Sequence, residues 1–154
     1  MEVLTTDRYL NTMKICEIMT PAVQCVGPED NVVEAAALMQ ELDVGSLPVF
    51  EDGEVIGMLT DRDIVIRCVA AAREPGGCPV RDVMTVGIVT VSDEDTVEDA
   101  LHTLERHQIR RAPVMSHDRG LVGIISLGDI AVDASGTLSG AALKEISQPA
   151  VLVC

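Results

Sequence analysis

Residues 57–67 read GMLTDRDIVIR, and residues 123–133 read GIISLGDIAVD. Each stretch has a glycine, two apolar residues, a hydroxyl residue and an aspartate three positions after the hydroxyl. A short apolar segment before a Thr or Ser that can cap a helix predicts a strand that turns directly into a helix. Because the pattern occurs twice, it indicates an internal repeat.

The rest of the chain supports two copies of one unit. Ile18-Met19-Thr20 aligns with Val83-Met84-Thr85 at an offset of 65 residues, and Pro48-Val49 aligns with Pro113-Val114 at the same offset. From Gly57 onward the offset is 66 residues. Since insertions are tolerated in turns, we expect the additional residue in the second hairpin turn.

Each unit is predicted to be α/β (α+β), with the order strand, helix, strand, strand, helix. Asn31 and Thr96, each followed three residues later by an acid, are typical of helix starts. The segments 47–59 and 112–125 each predict a β-hairpin around a central turn. A second helix is expected directly after each hairpin.

The chain divides into two units, a linker and a tail. We assign residues 13–72 to the first unit and residues 80–135 to the second. Residues 73–79, REPGGCP, are a Pro- and Gly-rich break and are predicted to be the linker. Residues 136–154 form a C-terminal tail that could contain a short helix. Because a unit of about 60 residues buries little core alone, we expect the helices of the two units to pack together.

Composition and charge argue against several classes of function. The net charge of −14 at pH 7 disfavours nucleic acid, and Tyr9 and Phe50 are the only aromatic residues. No apolar run approaches the roughly 20 residues of a membrane span, and no secretory signal is seen.

Five cysteines without a C-x-x-C pair argue against a disulfide scaffold or a zinc ribbon, so we expect a cytoplasmic protein without a metal site. Common catalytic motifs are absent too, so we do not expect an enzyme.

The two Thr/Ser-x-x-Asp pairs are the candidate chemistry of the chain. Thr60 and Ser126 are predicted to cap helices, where main-chain N–H groups and the helix dipole favour an anion. Asp63 and Asp129 could accept two hydrogen bonds from adjacent hydroxyls, as on a ribose. Pairs that only cap helices have the same spacing, so both interpretations stay open.

The repeat resembles the CBS domain, and two repeats in tandem resemble a Bateman module. The resemblance covers roughly residues 13–135. The residues that carry it are Ile18-Met19-Thr20-Pro21, Val83-Met84-Thr85, Leu47-Pro48-Val49, Ala112-Pro113-Val114 and the two Gly-x-x-Thr/Ser-x-x-Asp endings. The segments LTDRDIVIR and HQIRRAPV further resemble stand-alone actinobacterial CBS pairs of the hypoxic response protein 1 type, which implies a role in a stress response. Val86 in place of Pro21, and Leu127-Gly128 in place of Asp61-Arg62, depart from the pattern.

The resemblance implies a pseudo-two-fold pair of domains with two clefts that bind adenosine compounds in many members. Asp63 and Asp129 would hold ribose hydroxyls, and Thr60 and Ser126 would approach phosphate. The first base pocket would be lined by Thr20, Pro21, Val23, Val44, Ser46, Leu47 and Pro48. The second would be lined by Thr85, Ile88, Ile109, Ala112 and Pro113.

Three arginines are candidates for phosphate binding, since a guanidinium can donate two parallel hydrogen bonds. They are Arg62, Arg110 and Arg111. Surface arginines and intramolecular ion pairs explain them equally well. Arg110-Arg111 replaces Gly45-Ser46 of the first repeat, so we expect the two sites to differ in their affinity for a phosphorylated ligand.

We therefore expect a non-catalytic regulatory module that requires no cofactor and binds AMP, ADP, ATP or S-adenosylmethionine, with a protein partner that the sequence does not identify. The alternative is a ligand-free structural or protein-interaction module. The resemblance implies a homodimer, because apolar helix faces of CBS modules commonly pair two copies, and apolar residues follow each Thr/Ser-x-x-Asp pair here. They are Ile64, Val65, Cys68, Val69, Ile130 and Val132. The alternative is that these residues complete the core of a single chain.

Overall fold

The helices and strands follow the predicted order in both repeats. The computed structural model describes residues 12–133, so the predicted tail helix lies outside the described residues. In chain order the elements are α1 (Ile15–Ile18), β1 (Thr20–Pro21), α2 (Val32–Leu42), β2 (Ser46–Glu51), β3 (Glu54–Thr60), α3 (Asp61–Asp63), β4 (Thr85–Val86), β5 (Val91–Ser92), α4 (Val97–His107), β6 (Arg111–Ser116), β7 (Gly120–Ser126) and α5 (Leu127–Asp133). A π-helical segment, Ile64–Val69, continues α3, and 3₁₀ turns occur at Pro75–Gly77 and Val80–Asp82.

Both predicted hairpins form, and their turns differ by one residue. β2 pairs with β3 around a two-residue turn, and β6 pairs with β7 around a three-residue turn. This difference confirms the predicted site of the additional residue. The pairing register shifts between Val49 and Phe50, and again at the equivalent Val114 and Met115, so the two hairpins share a β-bulge.

The short strands before each repeat pair with the hairpin of the other repeat. β1 pairs with β7, Thr20 facing Ile124, and β4 pairs with β3, Thr85 facing Met58. One compact unit therefore contains the described residues up to 22 and from 89 onward, and the other contains residues 23–88. The compact units thus have different boundaries from the sequence repeats, because the segments that contain β1 and β4 each belong to the unit of the other repeat's hairpin.

Each unit has its own sheet and its own aliphatic core. One sheet has the order β1-β7-β6-β5, with β5 parallel to β6. The other has the order β2-β3-β4, and Val26 forms a parallel bridge to Val49 at its edge. The buried side chains of the unit that contains β5, β6 and β7 are Ile15, Val91, Val97, Ala100, Leu101, Leu104, Ala112, Val114, Ile125, Leu127 and Ile130. Those of the unit formed by residues 23–88 are Val26, Val32, Ala35, Met39, Leu47, Val49, Leu59, Cys68, Cys78, Val80 and Val83.

The caps of α2 and α4 confirm the predicted helix starts. The Asn31 side chain accepts hydrogen bonds from two main-chain N–H groups, and the Thr96 hydroxyl accepts one from the Asp99 N–H. Both helices end at a left-handed residue, Asp43 and Gln108, which are equivalent positions. The repeat therefore extends to the backbone conformation of the helix ends.

The apolar residues after each Thr/Ser-x-x-Asp pair do not all form surface. Cys68 and Ile130 are fully buried and complete the cores of their units, so their assignment to an apolar surface was wrong. Val65 and Val69 remain more than half exposed, as does Val132. Within residues 12–133, no helix combines the length and the apolar character that crossing a membrane requires.

Candidate functional site

The first corner, where β3 turns into α3, is fixed by two reciprocal hydrogen bonds. The Asp63 N–H donates to Thr60 Oγ1 at 3.0 Å, and the Thr60 N–H donates to Asp63 Oδ2 at 3.0 Å. This is a capping box, in which the side chains at both ends of the first turn satisfy otherwise unpaired main-chain donors. The corner holds the Asp63 carboxylate in one position and leaves Oδ1 outside the cap.

The second corner, where β7 turns into α5, repeats this geometry. The Ser126 N–H and hydroxyl donate to Asp129 Oδ2 at 2.8 and 2.7 Å, and the Asp129 N–H donates to Ser126 Oγ at 3.2 Å. Among the described residues, Asp129 Oδ1 has no hydrogen-bond or ion-pair partner. The capping interpretation is therefore correct at both corners, and each aspartate still has an oxygen outside the cap.

An arginine that the sequence analysis missed distinguishes the first corner. Arg67 Nη1 lies 3.7 Å from Asp63 Oδ1. The same Nη1 donates to the main-chain oxygens of Val83 and Met84 at 2.9 and 2.8 Å. Arg67 therefore joins the Asp63 carboxylate to the segment that leads into β4. The signal available in the sequence was its spacing four residues after Asp63, where opposite charges face each other on a helix.

Candidate phosphate-binding arginines lie beside the second corner. Arg111 faces Ser126 in the β6–β7 register, whereas Ser46 faces Thr60 at the equivalent position of the other hairpin. The Leu127 N–H donates to the Arg110 carbonyl at 3.0 Å, so Arg110 adjoins the start of α5. Arg110 and Arg111 are both exposed. Arg62, the third candidate, is exposed in the first turn of α3.

The two predicted base pockets combine residues that belong to different compact units. Thr20 and Pro21 lie in the unit that contains Ile109, Ala112 and Pro113. The other unit contains the remaining predicted pocket residues, which are Val23, Val44, Ser46, Leu47, Pro48, Thr85 and Ile88. The residues predicted to share one base pocket are therefore divided between the two compact units, because β1 and β4 pair with the hairpin of the other repeat. Their role in binding stays a prediction.

The two corners differ in the arginines that they contain. The Asp63 side chain is only 14% exposed and faces the Arg67 guanidinium, while that guanidinium is 46% exposed. At the second corner, the cations are the two exposed arginines of the β6 start. Across residues 12–133, no three His, Cys, Asp or Glu side chains are grouped so that they could hold a metal ion.

Comparison with known proteins identifies the repeat. The sequence pattern of the CBS domain matches residues 15–69 and 80–134. The chain belongs to the CBS-domain family. The CBS chain is 43% identical over 132 residues to the CBS domain-containing protein YhcV of Bacillus subtilis, covering 85% of this chain and 93% of that protein. It is 40% identical over 116 residues to hypoxic response protein 1 of Mycobacterium tuberculosis, covering 75% and 80% of the two chains.

Solved structures of CBS proteins confirm the fold. A crystal structure of Hypoxic Response Protein I with two coordinated zinc ions is 38% identical, with a TM-score of 0.70 over 78% of this CBS chain and 98% of that chain. A crystal structure of CBSX2 in complex with AMP is 28% identical, with a TM-score of 0.64 over 86% of this chain and 97% of that chain. The predicted tandem CBS architecture is therefore confirmed.

Proposed function

We propose that this CBS pair is a non-catalytic regulatory module that binds an adenosine-containing ligand at its two strand-to-helix corners. The observation that carries the proposal is the second corner. There a carboxylate with an unpaired oxygen, Asp129, shares a corner with Arg110 and Arg111. A carboxylate that can accept hydroxyl hydrogen bonds, with two arginines at the same strand-to-helix corner, supplies the residue types that a nucleoside phosphate requires.

The ribose contact follows from the hydrogen bonds of the corners. Since Oδ2 of Asp129 is held by the cap, Oδ1 is the oxygen that accepts from a ribose hydroxyl. The preorganised carboxylate loses little rotamer freedom when it binds. Asp63 has the same cap, and its Oδ1 would share the Arg67 guanidinium with the ligand.

The phosphate contact depends on local rather than global charge. A chain with a net charge of −14 repels anions at long range. Binding of a phosphate therefore needs adjacent cations, and Arg110 and Arg111 supply two of them at the second corner. The AMP bound by CBSX2, a structural neighbour at 28% identity, supports AMP as the first ligand to test.

We also infer a cytoplasmic location. The cysteines Cys16, Cys25, Cys68 and Cys78 are free thiols, as in proteins of a reducing compartment.

Isothermal titration calorimetry of the full chain, freed of co-purified nucleotide, tests the proposal. The ligands are AMP, ADP, ATP, S-adenosylmethionine and adenosine, with GMP as a base control. We expect saturable binding of at least one adenosine compound and weaker binding of GMP. A folded protein that releases no heat and gives no saturation with any of these compounds would contradict the proposal.

A second candidate function is protein interaction through the helix after the first corner. Val65, Ile66 and Val69 are 54%, 53% and 58% exposed on that helix. Exposed apolar side chains grouped in this way favour an interface between copies of the chain. Light scattering of the wild type and of Val65→Lys/Val69→Lys tests it, with Val33→Lys on α2 as the control. A monomer of 16.4 kDa for the wild type would exclude a homodimer.

A further inference from the structure

Two buried cysteines lie together in the unit formed by residues 23–88. Cys68 is 0% exposed, Cys78 is 3% exposed, and both belong to the same core cluster. The Cys68 thiol donates to the Arg73 carbonyl and the Cys78 thiol to the Pro79 carbonyl. Burial raises the pKa of Cys68, and the neighbouring Cys78 side chain raises it further. Cys68 is therefore held as a neutral thiol beside a second sulfur.

The chain between the two cysteines folds back on itself. The Arg73 N–H donates to the Cys68 carbonyl at 3.0 Å, and the Cys68 thiol donates to the Arg73 carbonyl at 3.9 Å. The Cys78 N–H donates to the Pro75 carbonyl at 3.2 Å, which closes the 3₁₀ turn Pro75–Gly77. The Val32 N–H in turn donates to the Cys78 carbonyl at 3.0 Å. Main-chain hydrogen bonds thus hold both ends of the bend.

Only one of the two cysteines borders an open pocket. The pocket has a volume of about 350 Å³, and its lining residues are Arg73, Glu74, Gly77, Cys78 and Asp82. Arg73 Nη1 donates to Asp82 Oδ2 at 3.0 Å, and the Cys78 side chain raises the pKa of the Arg73 guanidinium. Of the two cysteines, Cys78 is therefore the one that a small molecule in the pocket reaches first, and the Arg73 cation lines the same pocket.

We propose that Cys68 and Cys78 are a redox-active thiol pair, oxidised by a small hydroperoxide that enters this pocket. The Cys78 thiol gives up its proton as its sulfur attacks one oxygen of hydrogen peroxide. An S–O bond forms, the O–O bond breaks, and the leaving hydroxide takes up the proton as water. The Cys68 thiol then attacks the Cys78 sulfenic acid, the S–S bond forms and the S–O bond breaks. Water leaves with the proton of Cys68. The two sulfurs lose two electrons in total, and the peroxide is reduced by two electrons.

The arrangement assigns different roles to the two sulfurs. Cys78 reacts first because it lines the pocket, and Cys68 resolves the sulfenic acid because it belongs to the same core cluster as Cys78 but does not line the pocket. The disulfide would fix the bend of residues 69–77, where the first repeat leads into the second. A reversible oxidation would therefore act on the connection between the repeats and is independent of the proposed nucleotide.

Peptide mapping of the oxidised full chain tests the proposal. The folded wild type is treated with graded hydrogen peroxide and quenched in acid, and its remaining thiols are alkylated. All five cysteines are then mapped by mass spectrometry. We expect a Cys68–Cys78 cross-link at the lowest effective peroxide dose, with the loss of two hydrogens, and its reversal by dithiothreitol. Complete alkylation of both residues while Cys16 or Cys25 is oxidised would overturn the proposal.

Single variants then separate the two roles. Cys68→Ser should leave a Cys78 sulfenic acid that dimedone labels, whereas Cys78→Ser should leave Cys68 as a thiol. Cys25→Ser is the matched control, because Cys25 is a half-buried thiol outside the pair, and it should leave the cross-link unchanged. Equal dimedone labelling of the Cys68→Ser and Cys78→Ser variants would contradict the assigned order.

Discussion

Arg67 lies 3.7 Å from Asp63 and binds the carboxylate oxygen that the capping box of the first corner leaves unused. The residue aligned with Arg67 in the second repeat is Asp133, so no equivalent cation follows Asp129 in the sequence. The first corner therefore has an internal cation on its aspartate. The second has two exposed arginines beside its serine, so the two corners are not chemically equivalent.

Removing Arg67 should destabilise the unit that contains it. Arg67→Ala loses the hydrogen bonds to the Val83 and Met84 carbonyls and leaves Asp63 without its cation. Because the side chain is 46% exposed, we expect a loss of about 1–2 kcal/mol in the free energy of unfolding. Urea titration measures it. Arg62→Ala is the control and should change the free energy by less than about 0.5 kcal/mol, and equal effects of the two variants would argue against the Arg67 contacts.

Converting the second corner to the residues of the first should reduce its preference for phosphate. In Arg110→Gly/Arg111→Ser the two cations are replaced by the residues found at Gly45 and Ser46. We expect AMP affinity to fall by about tenfold while adenosine affinity stays the same. Calorimetry with both ligands measures the difference, and Arg106→Ser on α4 is the control for the loss of an exposed arginine away from the corner. A parallel fall for AMP and adenosine would mean that the arginines do not contact phosphate.

The glycine that precedes each corner should not tolerate a side chain. A Cβ on Gly57 would lie 2.7 Å from the Thr85 carbonyl oxygen, and one on Gly123 would lie 2.8 Å from the Thr20 carbonyl oxygen. Gly57→Ala and Gly123→Ala should each lower the free energy of unfolding by about 1–3 kcal/mol, because β4 or β1 must move away. Urea titration measures the loss. At Gly77 a Cβ meets open space, so Gly77→Ala should be nearly neutral, and a similar loss there would contradict this account.

The Asp99 capping box should make the stability of α4 depend on pH. Asp99 accepts hydrogen bonds from the Thr96 hydroxyl and the Thr96 N–H, which lower the pKa of Asp99 in that order of importance. The pKa of Asp99 is therefore lower in the folded state than in the unfolded state, where it is about 3.9. The ionised carboxylate stabilises the folded state fully above the unfolded-state pKa, and this stabilisation is lost as the pH falls through the folded-state pKa. We expect Asp99→Asn to have a lower Tm than the wild type at neutral pH, and the difference to vanish in strong acid. Thermal melts across this range measure it, and a difference that does not change with pH would contradict the assignment.

Local patterns predicted most of the fold. Both hairpins and the helix starts could be predicted because capping residues, turn composition and apolar alternation each depend on only a few neighbouring residues. The alignment of the two repeats predicted which turn contains the additional residue. The π-helical segment after Asp63 has no comparable signal, and neither does the burial of Cys68 and Ile130, which depends on packing within each unit.

The pairing of the short strands could not be predicted. β1 and β4 have two residues each, too few for an alternating pattern, and their sequences around Met19 and Met84 are alike. Either segment therefore fits either hairpin by sequence alone. The role of Arg67 was hidden for the same reason, since the carbonyls it binds precede β4 and reach it only through that long-range pairing.

AMP titration of three proteins decides whether the two aspartates of the corners bind a nucleotide. They are the wild type, the Asp63→Ala/Asp129→Ala variant, and Asp99→Ala as a matched control that loses a capping aspartate of the same kind outside the corners. The account predicts saturable binding by the wild type, unchanged binding by Asp99→Ala, and at least about tenfold weaker binding by the double variant, all with equal helix content by circular dichroism. Equal AMP affinity of all three folded proteins, or no binding by any of them, would contradict the account.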